Sequence, residues 1–197
     1  MKNPFYNLAQ FIDLPKRLQI HYPGPRWAVV GAYMLTIYLT LPLTPIITRG
    51  IFTIIGKRET GLVISTILLI ALGMVVGILY RRIRREQRIH ALLPFLAILL
   101  VAYHTDNPSE RVHLLEYGFL AFLVFRAMGE PRGVGLLWSY VTVVLLGFSD
   151  ECIQFMLPNR YFDLGDVALN GLGAACGIWF AILMRQLPAP NPEPLPS

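Results

Sequence analysis

The segment DECIQFMLPNRYFDLGDVALN, residues 150–170, places carboxylates, amides and an arginine between and inside two apolar runs. An ionisable group at the centre of a bilayer costs about 2.5–3.5 kcal/mol, so polar groups in such positions usually mark a functional site. The residues that could do chemistry here are Asp150, Glu151, Gln154, Arg160, Asp166 and Asn170. Such a set can bind a phosphate through the guanidinium, or a divalent cation through the carboxylates.

A second polar cluster opens an earlier apolar run. His113, Glu116 and Tyr117 are three and four residues apart, so they share one side of a helix. With six membrane spans, both clusters lie near the same membrane surface, and we expect them to converge on one ligand-binding pocket. Ordinary structural roles remain open for single members, since Asp163 or Asp166 can cap the last helix and Tyr117 can be an interfacial anchor.

The composition indicates an integral membrane protein, with 55% hydrophobic and 15% charged residues and a mean hydropathy of +0.54. We therefore predict an all-α fold, a polytopic transmembrane helix bundle with about six spans. Five apolar runs are long enough or nearly so: 27–47, 61–80, 112–128, 133–149 and 166–184. The run 91–103 is shorter and contains Pro94. It crosses only if its helix extends into 88–90 and 104–106, and the count becomes five if it is re-entrant.

The distribution of basic residues predicts the topology. The loop RRIRREQR, residues 81–88, directly follows an apolar run, which is typical of the cytoplasmic side. With six spans, twelve of the seventeen lysines and arginines are cytoplasmic, as are both termini, and the polar clusters are extracytoplasmic. We expect a multi-pass protein of the bacterial inner (cytoplasmic) membrane, in contact with lipids and not with nucleic acid. If residues 91–103 are re-entrant, eleven of the lysines and arginines are cytoplasmic and six are extracytoplasmic.

The chain divides into three predicted regions: an interfacial amphipathic segment at 1–26, a transmembrane domain at 27–185 and a proline-rich tail at 186–197. Within the transmembrane domain, Pro42 and Pro45 predict a kink or helix end near Leu43.

Two pairs of glycines have the small-xxx-small spacing that lets helix backbones approach closely. The pairs are Gly73 with Gly77 and Gly173 with Gly177, and we predict helix contacts at both.

The two polar segments resemble a known family. ERVHLLEYGFLAFLVFRA, residues 110–127, and DECIQFMLPNRYFDLGDVALNGLGAACG, residues 150–177, are similar to the two signatures of the VanZ-like family of small membrane proteins. The chain departs from the pattern at Asn159, where the family has glycine in the turn, but asparagine tolerates the same backbone. The family residues matched here are His113, Tyr117, Asp150, Glu151, Gln154, Arg160, Asp166, Asn170 and Gly173.

The resemblance implies a role in the cell envelope, since the namesake of the family is associated with low-level resistance to the lipoglycopeptide teicoplanin and no reaction is firmly attached to the fold. Hydrolase motifs such as G-x-S-x-G and H-E-x-x-H are absent from the sequence. We therefore expect a non-catalytic protein that binds a lipid-linked or amphiphilic molecule, or packs as a subunit of a larger membrane complex. The alternative is a membrane enzyme that acts on a phosphorylated lipid headgroup with a divalent cation. The sequence identifies no catalytic residue, cofactor or dedicated metal ligand.

Overall fold

The computed structural model describes residues 24–82, 85, 88–104, 108–158 and 160–186. Within them the chain is all helical, as predicted, and contains no strand. The helices of the described residues are α1 (Pro25–Thr40), α2 (Thr44–Ile54), α3 (Lys57–Arg82), α4 (Arg88–His104), α5 (Pro108–Ala127), α6 (Val134–Phe155) and α7 (Leu164–Arg185). The predicted amphipathic segment and proline-rich tail lie almost entirely outside the described residues.

Among the described residues, α6 and α7 are each long and apolar enough to cross a membrane. The bent pair α1 and α2 passes the same test together, as a broken span or a re-entrant loop, which brings the number of candidate spans to at most three. Large apolar side chains also cover the outer surface, and Ile54 is 85% exposed. Apolar surface of this extent suits contact with lipid. The fold therefore fits a membrane-embedded bundle, while six spans remain a prediction.

The chain bends sharply between α1 and α2. Helix α1 ends at Thr40, a turn follows, and α2 begins at Thr44 at an angle of 59° to α1. Pro45 lies in the first turn of α2, where a helix does not need the missing N–H. The predicted kink near Leu43 is confirmed.

Helix α4 contains the shortest of the predicted spans. It begins at Arg88 and continues through Pro94 to His104, so the extension into 88–90 that a full crossing requires is present. Its 17 residues correspond to about 25 Å, near the lower limit for a membrane span. The Cys176 thiol of α7 donates to the Pro94 carbonyl at 3.6 Å, which connects α4 to the bundle.

Helix α5 forms the centre of the bundle and packs against α1, α6 and α7. Its closest neighbour is α7, because glycines remove the side chains between them. A Cβ atom at Gly173 would lie 2.6 Å from the Leu114 carbonyl oxygen, which confirms a helix contact at this predicted pair. At Gly73 and Gly77 of α3, no described atom lies within 4 Å of such a Cβ, so the predicted contact is not seen there.

Arginines gather at one end of the bundle, around the loop between α5 and α6. Arg26 donates to the Arg126 carbonyl at 3.1 Å, and Arg185 donates to the carbonyls of Glu130 and Pro131 at 3.1 and 2.9 Å. These contacts bring the start of α1 and the ends of α5 and α7 together. The start of α5, the end of α6 and the start of α7 consequently lie at the opposite end, which contains the two polar clusters.

Candidate functional site

A cavity of about 130 Å³ lies at the polar end of the bundle. Its walls come from the α1–α2 break, the start of α3, the start of α5 and the loop between α6 and α7. The apolar part of the lining consists of Ile37, Leu41, Ile51, Phe52, Ile64 and Val112. Most of the apolar lining therefore comes from α1, α2 and the turn between them, because the bend brings α2 over the cavity.

The polar part of the lining includes a cation, a carboxylate and an imidazole: Arg160, Glu116 and His113. An ion pair joins Arg126 to Glu130 at the other end, whereas Arg160 and Glu116 do not form an ion pair with each other. The buried Nε of Arg160 and Nδ1 of His113 have no hydrogen-bond partner. The fold therefore leaves part of the hydrogen-bonding capacity of both side chains unused.

Four threonines complete the lining, and the sequence analysis missed them. They are Thr40, Thr44, Thr48 and Thr60. Three of them donate to a backbone carbonyl of their own segment: Thr40 to Ile37 at 2.8 Å, Thr44 to Thr40 at 2.9 Å and Thr60 to Gly56 at 2.7 Å. A hydroxyl that donates in this way still has acceptor capacity. The signal in the sequence was the recurrence of threonine every four residues from Thr36 to Thr48.

A second polar group lies inside the bundle near the end of α6. Asp150 and Glu151 are fully buried, and Gln154 is 2% exposed. The Gln154 amide donates to Glu151 Oε1 at 2.7 Å and, less favourably, to Asp150 Oδ2 at 3.4 Å. Glu151 Oε2 also accepts from the backbone N–H of Asp163 at 3.2 Å. The network therefore ties the end of α6 to the residue that precedes α7.

Tyr117 and Asn170 meet beside this network, at Gly147 of α6. A Cβ at Gly147 would lie 3.1 Å from the Tyr117 ring and 3.0 Å from Asn170 Cβ, so the approach depends on glycine. The Tyr117 hydroxyl interacts electrostatically with Asp150. The hydroxyl is within reach of a hydrogen bond to Asp150, although the geometry falls short of a well-formed one, and both amide atoms of Asn170 make no hydrogen bond. Unpaired buried polar atoms are uncommon in folded proteins, so the Asn170 amide is an unusual feature of the described interior.

His113 links the cavity to the interior network. It lines the cavity, its ring stacks on Tyr117 with centroids 6.3 Å apart, and it interacts electrostatically with Asp150 and Arg160. A ligand that contacts His113 is therefore one side chain away from the buried carboxylates.

The start of α7 is organised by two aspartates. Asp163 caps the helix, since its Oδ1 accepts from the Gly165 N–H at 2.7 Å, as one of the structural alternatives predicted. Asp166 is half-buried in the first turn and interacts electrostatically with Asp163 and Arg160.

The predicted site residues thus form two adjacent groups and not one shared pocket. His113, Glu116 and Arg160 line the cavity, whereas most of the others lie behind it. The buried set is Tyr117, Asp150, Glu151, Gln154 and Asn170. Binding of a ligand by any of them remains a prediction. Among the described residues, no group of three or more His, Cys, Asp or Glu side chains is placed to hold a metal ion, so the geometry gives the divalent-cation alternative no support.

The helices and the cavity define a class of protein: a small helical membrane protein with a cavity at the polar end of its bundle. The chain matches the VanZ/LLP1 family over residues 3–185, and it belongs to that family. The match confirms the resemblance seen in the two polar segments and extends it to the helices before residue 108, where the sequence showed no recognisable motif. No curated protein and no solved structure matches the chain.

Proposed function

We propose that this protein binds an amphiphilic or lipid-linked molecule, without catalysis, at the extracytoplasmic face of the bacterial inner (cytoplasmic) membrane. The observation that carries the proposal is the composition of the cavity, which combines an apolar wall with the side chains of His113, Glu116 and Arg160. An amphiphile has the same two parts. Its chain would lie along α1 and α2, and its headgroup would face α5 and the α6–α7 loop.

The size of the cavity supports a headgroup site. Pockets that enclose whole drug-sized ligands measure roughly 300–1,000 Å³, whereas this one measures about 130 Å³. The remainder of the ligand would therefore stay in the surrounding lipid. Such partial enclosure suits a protein that holds or shields a membrane component, and it is compatible with the envelope-protection role that family resemblance implies.

The proposed orientation follows from charge. Arg26, Arg126, Arg132 and Arg185 lie at or near the end opposite the cavity. Helix α3 starts at the cavity and is 26 residues long, so at 1.5 Å per residue its end at Arg82 lies about 39 Å away. Basic residues favour the cytoplasmic side, which leaves the cavity outside.

No observation favours either of the two alternative functions, an accessory subunit or an enzyme. The exposed apolar side chains suit lipid as well as a protein partner, so they do not single out an accessory-subunit role. An enzyme acting on a phosphorylated headgroup with a divalent cation would need a cluster of metal ligands, and the described residues form none.

A cavity-filling substitution tests the proposal. Purified protein in a neutral maltoside detergent would be titrated with a twelve-carbon lysophospholipid, and the unfolding temperature recorded. A ligand present at about 100 times its Kd adds about 2.7 kcal/mol of stability, which gives a measurable rise. Thr48→Trp should abolish the rise by filling the cavity. Thr53→Trp should preserve it, because Thr53 is exposed on the same helix and does not line the cavity. An equal rise in both variants would refute the cavity as the site.

A further inference from the structure

We infer that the headgroup bound in this cavity is zwitterionic, with a phosphate at Arg160 and a primary ammonium at Glu116. This inference rests on the proposed function and narrows it to one class of ligand, an aminoalkyl phospholipid. It follows from two opposite charges that line the same small cavity and do not form an ion pair with each other.

The first step of the argument concerns Arg160. Its side chain lines the cavity and interacts electrostatically with Asp150 and Asp166, but among the described residues it forms no ion pair. A guanidinium binds phosphate oxygens in a planar, forked geometry that an ammonium cannot match. His113 lies on the same cavity, so its imidazole can add a hydrogen bond to the phosphate from a ring nitrogen that carries a proton.

The second step concerns Glu116. A phosphate alone would place its negative charge in a small cavity that already contains this carboxylate, and like charges at short range oppose binding. A ligand that also carries an ammonium converts the repulsion into an attraction. Glu116 is half-buried, so its interaction with such a group is screened less than a contact on an open surface.

The third step concerns the threonines. An ammonium has three donors and needs acceptors. Thr40, Thr44 and Thr60 line the cavity, and the hydroxyl of each donates a hydrogen bond to a backbone carbonyl. Their oxygens therefore offer acceptors to the ligand. A primary ammonium uses these acceptors, whereas a trimethylated ammonium has no N–H to donate.

Three probes with the same twelve-carbon chain test the inference: lysophosphatidylethanolamine, lysophosphatidic acid and lysophosphatidylcholine. Affinity would be measured by the rise in unfolding temperature in neutral detergent. The native protein should prefer the ethanolamine lipid by about tenfold, which corresponds to 1.4 kcal/mol. Glu116→Gln should remove the preference. Glu59→Gln should keep it, because Glu59 is exposed and does not line the cavity. Arg160→Gln should weaken all three probes, and Arg132→Gln, at an exposed arginine, should weaken none.

The outcomes separate this inference from the proposed function. Equal binding of the three lipids, unchanged by Glu116→Gln, would overturn the zwitterion and leave amphiphile binding standing. Failure of all three to bind would overturn the proposed function. A measurement on native protein removes any dependence on the folding of variants: free phosphoethanolamine should compete with the ethanolamine lipid only weakly, and better than glycerol phosphate does. Competition as strong as that of the lipid would assign the site to a soluble phosphate ester.

Discussion

Gly177 of α7 lies directly against the carbonyl of Gly118 in α5, so that a Cβ atom on Gly177 would be 2.0 Å from the Gly118 oxygen. Real Cβ atoms do not come so close to an oxygen, and the obstacle is backbone that cannot rotate away. Two of the three helices that carry the candidate site residues therefore pack closely because glycines leave no side chains between them. Any shift of α7 would also displace Asn170 and Asp166 relative to Tyr117.

The first prediction is that Gly177→Ala destabilises the bundle. Overpacking a core costs about 1–3 kcal/mol, and we expect a loss at or above the upper limit because both helices must separate. The matched control is Gly77→Ala, which has the same small-xxx-small spacing but no described atom within 4 Å of the added methyl group. It should be neutral or slightly stabilising, since alanine favours a helix over glycine by about 1 kcal/mol. Thermal unfolding in detergent measures both, and equal losses would contradict the packing argument.

These two glycine pairs also show what the sequence can and cannot predict. The spacing of Gly173 and Gly177 matches that of Gly73 and Gly77, yet only the first pair contacts a neighbouring helix among the described residues. The spacing of small residues predicts which face of a helix lacks large side chains. It does not predict which neighbouring helix packs against that face, because this depends on the packing of the whole bundle. The all-helical class and the break near Leu43 were predictable, since composition and proline act locally.

The sequence indicated which polar residues could form a site, but it did not indicate how the fold arranges them. Glu116 and Tyr117 are neighbours in sequence, but successive helical residues point about 100° apart. Glu116 therefore lines the cavity while Tyr117 is buried against α6. The threonines were missed for a related reason. They lie on α1, α2 and α3, and no sequence motif indicated that the α1–α2 bend would bring them to His113.

The second prediction concerns the buried network at the end of α6. Gln154→Leu removes the amide that donates to Glu151 and Asp150, and a hydrogen bond to a charged group contributes about 1.5–3 kcal/mol. Combined with Glu151→Gln, it should be non-additive, with a coupling of about 0.5–3 kcal/mol. Gln154→Leu combined with Thr142→Ala, a half-buried site about three turns away on α6, should be additive. Unfolding free energies of the single and double variants supply the test, and additivity in both cycles would show that Glu151 and Gln154 act independently.

The third prediction distinguishes the effect of the Asp163 capping hydrogen bond from the effect of its negative charge. Asp163→Ala removes the oxygen that accepts from the Gly165 N–H and should cost about 0.5–2 kcal/mol, the usual loss for a helix cap. Asp163→Asn keeps a side-chain acceptor and should cost little. Chemical unfolding of the two variants compares them. A loss as large for asparagine as for alanine would mean that the negative charge, and not the cap, stabilises the start of α7.

The last prediction concerns the orientation of the cavity. With Cys152 and Cys176 replaced, a cysteine at Tyr161, which is 74% exposed in the loop between α6 and α7, should react with an impermeant thiol reagent added to intact cells. A cysteine at Arg132, exposed in the loop at the opposite end, should react only after the cells are opened. The physical reason is the excess of basic residues at the Arg132 end, which favours the cytoplasm. As a control for unfolded protein, both cysteines are labelled in opened cells, where they should react to the same extent. Labelling of Arg132→Cys alone in intact cells would reverse the orientation and place the cavity, with its phosphate and ammonium partners, on the cytoplasmic side.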